Sequence, residues 1–194
     1  YKKAADSETV PAERHVYSGD NWRIQGNNAL AETDYREAVK LKPDRPLLKI
    51  ILADILEAEK KWPEAESLIR EAIRLSPNNA SHHGSLASNL LAQEKTEEAE
   101  REAREAVRLN SYDSEHRVLL GRMLEKQNKT EDAITEYKQA VELNPQEANY
   151  HNVLGVALGK VNRWDEAEIE HAEAVKIDPD NGVSGGVTLT GVVS

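Results

Sequence analysis

The chain of 194 residues contains no cysteine. Disulfides, thiol nucleophiles and thiolate metal sites are therefore excluded, while the redox compartment stays open. It has no phenylalanine, one methionine and only 5% aromatic residues. A globular core for this length would draw on large aromatics, whereas stacked units that bury only against their neighbours manage with Ala, Leu, Ile and Val. No apolar run approaches the ~20 residues a helix needs to span a bilayer. Positive charge is in deficit, with 25 Lys and Arg against 35 Asp and Glu, a formal net charge of −10 and a pI near 5.2. This balance argues against a nucleic-acid partner, because phosphate neutralisation is the main source of that affinity. With 31% charged residues, the surface reads as soluble and self-repelling. The sequence opens on Tyr1 rather than Met, so a processed secreted form and a trimmed chain are both open, and the compartment is not set.

What is present is a period. Pro43, Pro77, Pro145 and Pro179 lie on one lattice with a spacing of 34 residues, and Ser111 fills the missing point. Alanine recurs at two fixed offsets, as Ala38, Ala72, Ala106, Ala140 and Ala174, and as Ala31, Ala65, Ala99, Ala133 and Ala167. A fixed period of this size means stacked supersecondary units. Five units follow, 12–45, 46–79, 80–113, 114–147 and 148–181, after an extension 1–11 and before an uncharged tail 182–194. Inside a unit the apolar spacing is helical: Val118, Leu119 and Leu124 belong to one helix, and Ala133, Ile134, Tyr137, Ala140, Val141 and Leu143 to the next. Each unit is thus a helix pair, and the fold is all-α. Thr96 and Thr130 are expected to cap second helices, with acids following in the first turn. Trp62-Pro63 places proline at a helix start, and the lattice prolines stop each second helix. Ala53, Ala87, Gly121 and Gly155 supply the small position that lets paired helices approach. In the first unit the turn-like string Ser18-Gly19-Asp20-Asn21 predicts a weak first helix.

These residues resemble the tetratricopeptide repeat family. Its pattern of Leu-Gly in the first helix, Ala and an aromatic in the second, then Pro is met by Leu120-Gly121, Ala133, Tyr137, Ala140 and Pro145, and again by Leu154-Gly155, Trp164, Ala167, Ala174 and Pro179. The departures, Ser111 for proline and Ala103 and His171 for the aromatic, read as drift. The resemblance implies a right-handed superhelical solenoid of antiparallel helix pairs whose first helices line a concave groove. It also implies a non-catalytic scaffold or adaptor that binds a peptide segment of a protein partner there.

Carried over by position, the groove residues are Leu47, Ile50, Ile51, Asp54 and Leu91, then Val118, Leu119, Arg122, Val153 and Val156. Two readings are open: an apolar trough for a peptide, with Asp54 and Arg122 setting register, or side chains that merely pack on neighbouring helices. The clamp of Lys, Arg and Asn by which one subgroup grips chaperone C-termini is absent, since Val16, Asp20, Ser81, Ser85 and Leu119 stand at its positions. The tail alternates apolar and polar side chains around Val187 and Leu189 and ends with Val192 and Val193, a pattern that favours extended chain. It reads as a linker, or as a segment that docks on another copy. Repeat arrays need polar caps, and His171 and Val175 would be left uncovered, so a self-assembling subunit forming head-to-tail oligomers or filaments is the alternative function.

Chemistry finds little support. His15, His83 and His151 recur two repeats apart and cannot share a metal, and His82 and His116 lack ligand spacing to a partner. Glu97, Glu98, Glu100, Glu102 and Glu105 read as a solvated helix surface with Arg101 and Arg104. No nucleophile motif or phosphate loop occurs, so no catalytic residue and no cofactor is assigned. Asn79 and Asn128 head formal glycosylation triplets, which matter only if the chain is secreted.

Overall fold

A computed structural model describes residues 2–179, with side chains from Pro11 onward. The tail residues Val187, Leu189, Val192 and Val193 lie outside the described residues. The chain divides into two compact units, Tyr1–Leu109 and Asn110–Ser194. The first contains α1 (Lys2–Ile24), α2 (Asn28–Leu41), α3 (Pro46–Ala58), α4 (Trp62–Leu75), α5 (Ala80–Ala92) and α6 (Thr96–Leu109). The second contains α7 (Ser114–Lys126), α8 (Thr130–Leu143), α9 (Ala148–Lys160) and α10 (Trp164–Ile177). Among the described residues there is no strand, and the fold is an all-α solenoid of helix pairs. In the first unit α1 packs on α2, α3 on α4 and α5 on α6, while α2 meets α3 and α4 meets α5. In the second, α7 packs on α8 and α9 on α10, with α8 meeting α9.

The pairs close on a size rule. The eighth residue of each repeat is Gly19, Ala53, Ala87, Gly121 or Gly155, and the twenty-fourth is Tyr35, Ile69, Ala103, Tyr137 or His171. Glycine stands wherever its counterpart is a ring, and alanine wherever it is aliphatic. The reason is steric: a Cβ on Gly19 would sit 2.7 Å from Cε2 of Tyr35, and one on Gly155 would sit 2.8 Å from Cε1 of His171. Ala103 and His171 are therefore compensated across the pair rather than drifting. The two alanine series of the second helices are buried in all five repeats.

This rule also corrects the expectation for the first repeat. α1 runs unbroken through Ser18-Gly19-Asp20-Asn21, because Gly19 is the contact position and its polar neighbours are recruited. The Ser18 hydroxyl donates to Asp34 at 2.6 Å, and Asp20 accepts from the Tyr35 hydroxyl at 2.6 Å. Asn21 donates to the Tyr17 carbonyl at 3.1 Å. The helix extends back over the expected extension to Lys2, with Pro11 inside it.

Capping differs from expectation as well. Thr96 and Thr130 are the first helical residues rather than caps. The side chains that do cap are Asn27, Asn79 and Asp113, each accepting from an N–H of the first turn. Every second helix ends two residues before its lattice position. Between the helices of each pair the chain turns through one left-handed residue: Gly26, Lys60, Glu94, Asn128 and Asn162, with φ from 60° to 72°. In the second repeat Lys61 N–H bonds the Leu56 carbonyl at 2.8 Å, the six-to-one bond of a Schellman stop. Only Gly26 takes this conformation without steric cost. Lys60→Gly and Glu94→Gly should therefore each stabilise the chain by about 0.5–1 kcal/mol, read as a raised urea midpoint at unchanged slope.

Candidate functional site

The fourth residue of each repeat carries a cation or an imidazole, and each meets a carboxylate on the second helix of its own pair. His15 Nδ1 lies 2.7 Å from Asp34, Lys49 Nζ 2.6 Å from Glu71, and His83 Nδ1 2.7 Å from Glu102. Arg117 lies 3.0 Å from Glu136 and His151 Nδ1 2.7 Å from Glu170. Three of the five also reach the carbonyl at the preceding lattice point. His83 Nε2 lies 3.0 Å from the Pro77 oxygen, Arg117 Nη2 donates to Ser111 at 2.9 Å, and His151 Nε2 lies 3.1 Å from the Pro145 oxygen. Both ring nitrogens of His83 and His151 thus face oxygen atoms. The clasp uses a carbonyl, not a ring, so Ser111 replaces proline without loss. Glu102 is accordingly half-buried and paired with His83 rather than with the arginines of its own helix. His116 likewise has a carboxylate near, Asp113 Oδ2 at 3.4 Å from Nδ1. Among the described residues no three metal-ligating side chains come together.

The second helices are laced by ion pairs of a different kind. Arg36 bonds Glu32 and reaches Glu64 of the next repeat at 2.7 Å, while Lys61 returns to Glu32 at 2.8 Å. One repeat on, Arg70 bonds Glu66 and reaches Glu98 at 3.1 Å, and Lys95 returns to Glu66 at 2.8 Å. Burial alone would raise the Glu66 carboxyl, but hydrogen bonds from Lys95, Arg70 and Gln93 outweigh it and hold it at about 2. In the second unit Lys138 reaches Glu166 and Arg163 reaches Glu131, each at 3.3 Å.

First helices offer the remaining surface. In the first unit Leu47 and Asp54 are exposed and Ile50, Ile51 and Leu91 half-buried. Tyr17 on α1 joins them at 73% exposure, against 64% for Leu47. Neither Tyr17 nor Ile24, also exposed, was singled out from the sequence, because the first helix of that repeat read as broken. Glu57 accepts from the amide of buried Asn89 on α5 at 2.7 Å, and Asn89 in turn accepts from Gln93 at 2.7 Å. Burial pushes the Asp54 carboxyl up, with Arg23 opposing. Burial also pushes Glu57 up, Asn89 opposes, and the neighbouring charge of Asp54 adds to the rise. Asp54 is thus exposed to solvent and yet partly desolvated by the residues around it.

The second unit's face is built differently. Leu119 and Val153 are half-buried, while Arg122 and Val156 are exposed. Val118 is 3% exposed and offers no surface to a partner. Glu125 accepts from the Tyr137 hydroxyl and from Lys160 of the next repeat, both at 2.8 Å. Glu115 accepts from the Tyr150 hydroxyl at 2.6 Å. The candidate groove residues thus fall into two sets, Leu47, Ile50, Ile51, Asp54 and Leu91 in one unit and the other five in the second. Asn79 is spent on capping α5, and Asn128 sits at a left-handed turn.

The Tetratricopeptide repeat profile matches residues 25–80 and 85–138, and a second profile, TPR repeat, matches 121–162. The chain belongs to the tetratricopeptide repeat family. Members of that family act in general as protein-interaction scaffolds. Solved structures with the same fold include MamA from Desulfovibrio magneticus RS-1, at 18% identity over 88% of this chain and 96% of that one, with TM-score 0.78. YrrB, described as a TPR protein with an unusual peptide-binding site, aligns at 20% identity over 92% of both chains, with TM-score 0.68. Pseudomonas aeruginosa pilF aligns at 19% identity over 94% of this chain and 79% of that one, with TM-score 0.77. No curated protein matches the sequence. Among the described residues of this tetratricopeptide repeat chain, no helix is long and apolar enough to cross a membrane.

Proposed function

We propose that this chain is a non-catalytic scaffold that holds a peptide segment of a partner protein against the first helices. The observation that supports the reading is the exposure of Tyr17 and Leu47, with Ile50 and Ile51 half-buried, at repeat positions that the family resemblance assigns to a groove. Large apolar side chains left in solvent on one face mark an interaction surface. YrrB, with its peptide-binding site, lends the reading a precedent of the same fold. The test is selection of binders from a phage-displayed library of random dodecapeptides on the full chain. Leu47→Ser should weaken the selected peptides about tenfold with helix content unchanged by circular dichroism. Unaltered affinity would sink the reading.

Self-association is a second reading, favoured by one observation. Val175 on α10 is 45% exposed, whereas Val141, its equivalent on α8, is half-buried beneath α9. Trp164 and Ile169 are also exposed on α10, and the uncharged segment 182–194 follows. Light scattering on the full chain and on a chain ending at Asn181 decides it: oligomers lost with the segment support assembly, and unchanged monomers reject it.

A further inference from the structure

We propose that the first unit's inner face selects a cationic partner segment, one that sets a lysine or arginine about 10 Å from an apolar anchor. This rests on the groove reading above and names the chemistry of its occupant. Along α3 the surface is graded. Leu47, Ile50 and Ile51 lie toward the N-terminal end, and Asp54 and Glu57 follow toward the other. Leu47 and Asp54 are seven residues apart, which at ~1.5 Å per residue puts them about 10 Å from each other. An extended peptide covers that distance in about three residues at ~3.3 Å each.

The charges on this face are unbalanced. Glu13, Asp20, Asp54 and Glu57 stand at inner positions of α1 and α3, against one cation, Arg23, which lies 3.9 Å from Asp20 and whose charge also acts on Asp54. α5 contributes Ser81, Ser85, Ser88 and Leu91, none of them charged. Among the described residues neither Asp54 nor Glu57 has an ion-pair partner, although ion pairs lace the outer helices of the same unit. The second unit makes the contrast: Glu125, the counterpart of Glu57, is neutralised by Lys160. Two adjacent carboxylates that are partly stripped of water and repel one another gain most from an incoming cation. The small serines of α5 leave room for a long basic side chain beside them. The chain's own segment 182–194 carries no charge and cannot supply that partner.

The test uses the same random dodecapeptide selection on the full chain. Enriched sequences should carry net positive charge, with an apolar residue about three positions from a lysine or arginine. Asp54→Asn with Glu57→Gln should weaken the enriched peptide about tenfold and flatten its salt dependence. Asp54→Asn alone should leave the fold intact and raise Tm slightly, on the order of 1–2 °C, since a carboxyl pushed up by burial disfavours the folded state at neutral pH. Neutral or acidic winners, less than a twofold effect of the double variant, or a lowered Tm would overturn the cation assignment. If Leu47→Ser and Tyr17→Ser still abolish binding in that case, the groove reading survives alone. Binding insensitive to Leu47→Ser and Tyr17→Ser, or no enrichment at all, overturns both. Equal competition by a peptide of residues 182–194 would assign the face to the chain itself and overturn the proposal.

Discussion

Gly121→Ala should destabilise the second unit by about 2 kcal/mol, although alanine is the better helix former. The added methyl would meet the Tyr137 ring within its repulsive range. That ring is fully buried, and its hydroxyl is tied to Glu125 at 2.8 Å, so it has nowhere to retreat. Overpacking of this kind costs about 1–3 kcal/mol, more than the ~1 kcal/mol alanine gains in helix propensity. Tyr137→Ala should cost about 3–5 kcal/mol by emptying the same space. The diagnostic is the double variant. Once the ring is gone, Gly121→Ala has only its propensity gain, and its effect should change sign to about 0.5–1 kcal/mol of stabilisation. Urea unfolding followed by circular dichroism measures the cycle. Additive effects would show that Gly121 is not there to admit Tyr137.

The second large effect concerns the clasp at Lys49. Its ammonium is almost wholly buried and bonds Glu71 at 2.6 Å. Glu71→Leu would leave that ammonium without a partner, at about 3 kcal/mol. Lys49→Met removes the buried charge itself and leaves Glu71, which reaches solvent, so its cost should stay within about 1 kcal/mol. Acid adds a sign test. The hydrogen bond from Lys49 holds the Glu71 carboxyl below its ordinary value of 4.5. A carboxyl depressed in the folded state contributes stability above 4.5 that is lost as the pH falls through its lowered value. The gap between the parent chain and Glu71→Leu should therefore narrow in acid. Equal costs for the two substitutions at neutral pH would refute the asymmetry.

The helix pairs were legible because their signal repeats: one weak periodicity becomes decisive when five copies share it. Boundaries were less so, since Thr96 and Thr130 are the first residues of their helices rather than the caps before them. The first helix was misread because Ser18, Asp20 and Asn21 favour turns in isolation, and only the fold shows that Asp34 and Tyr35 engage two of them. The clasp escaped notice for a related reason. Its members are nineteen or twenty-two residues apart, a separation without meaning until the two helices are laid antiparallel. It could have been found by reading the fourth and twenty-third positions together across repeats, where His15, His83 and His151 face Asp34, Glu102 and Glu170. Of the candidate groove residues, Val118 shows the limit of positional transfer: its place on the helix matches the family, yet its side chain is spent on the core.

Each fourth-position side chain finds its carboxylate within its own helix pair, and three of the five also reach the carbonyl at the preceding lattice point. Buried charge is thus settled locally, copy by copy. Duplication or loss of one whole repeat would strand no ion in the interior. Genetic recombination could then change the copy number of the array without first having to invent a compensating residue elsewhere.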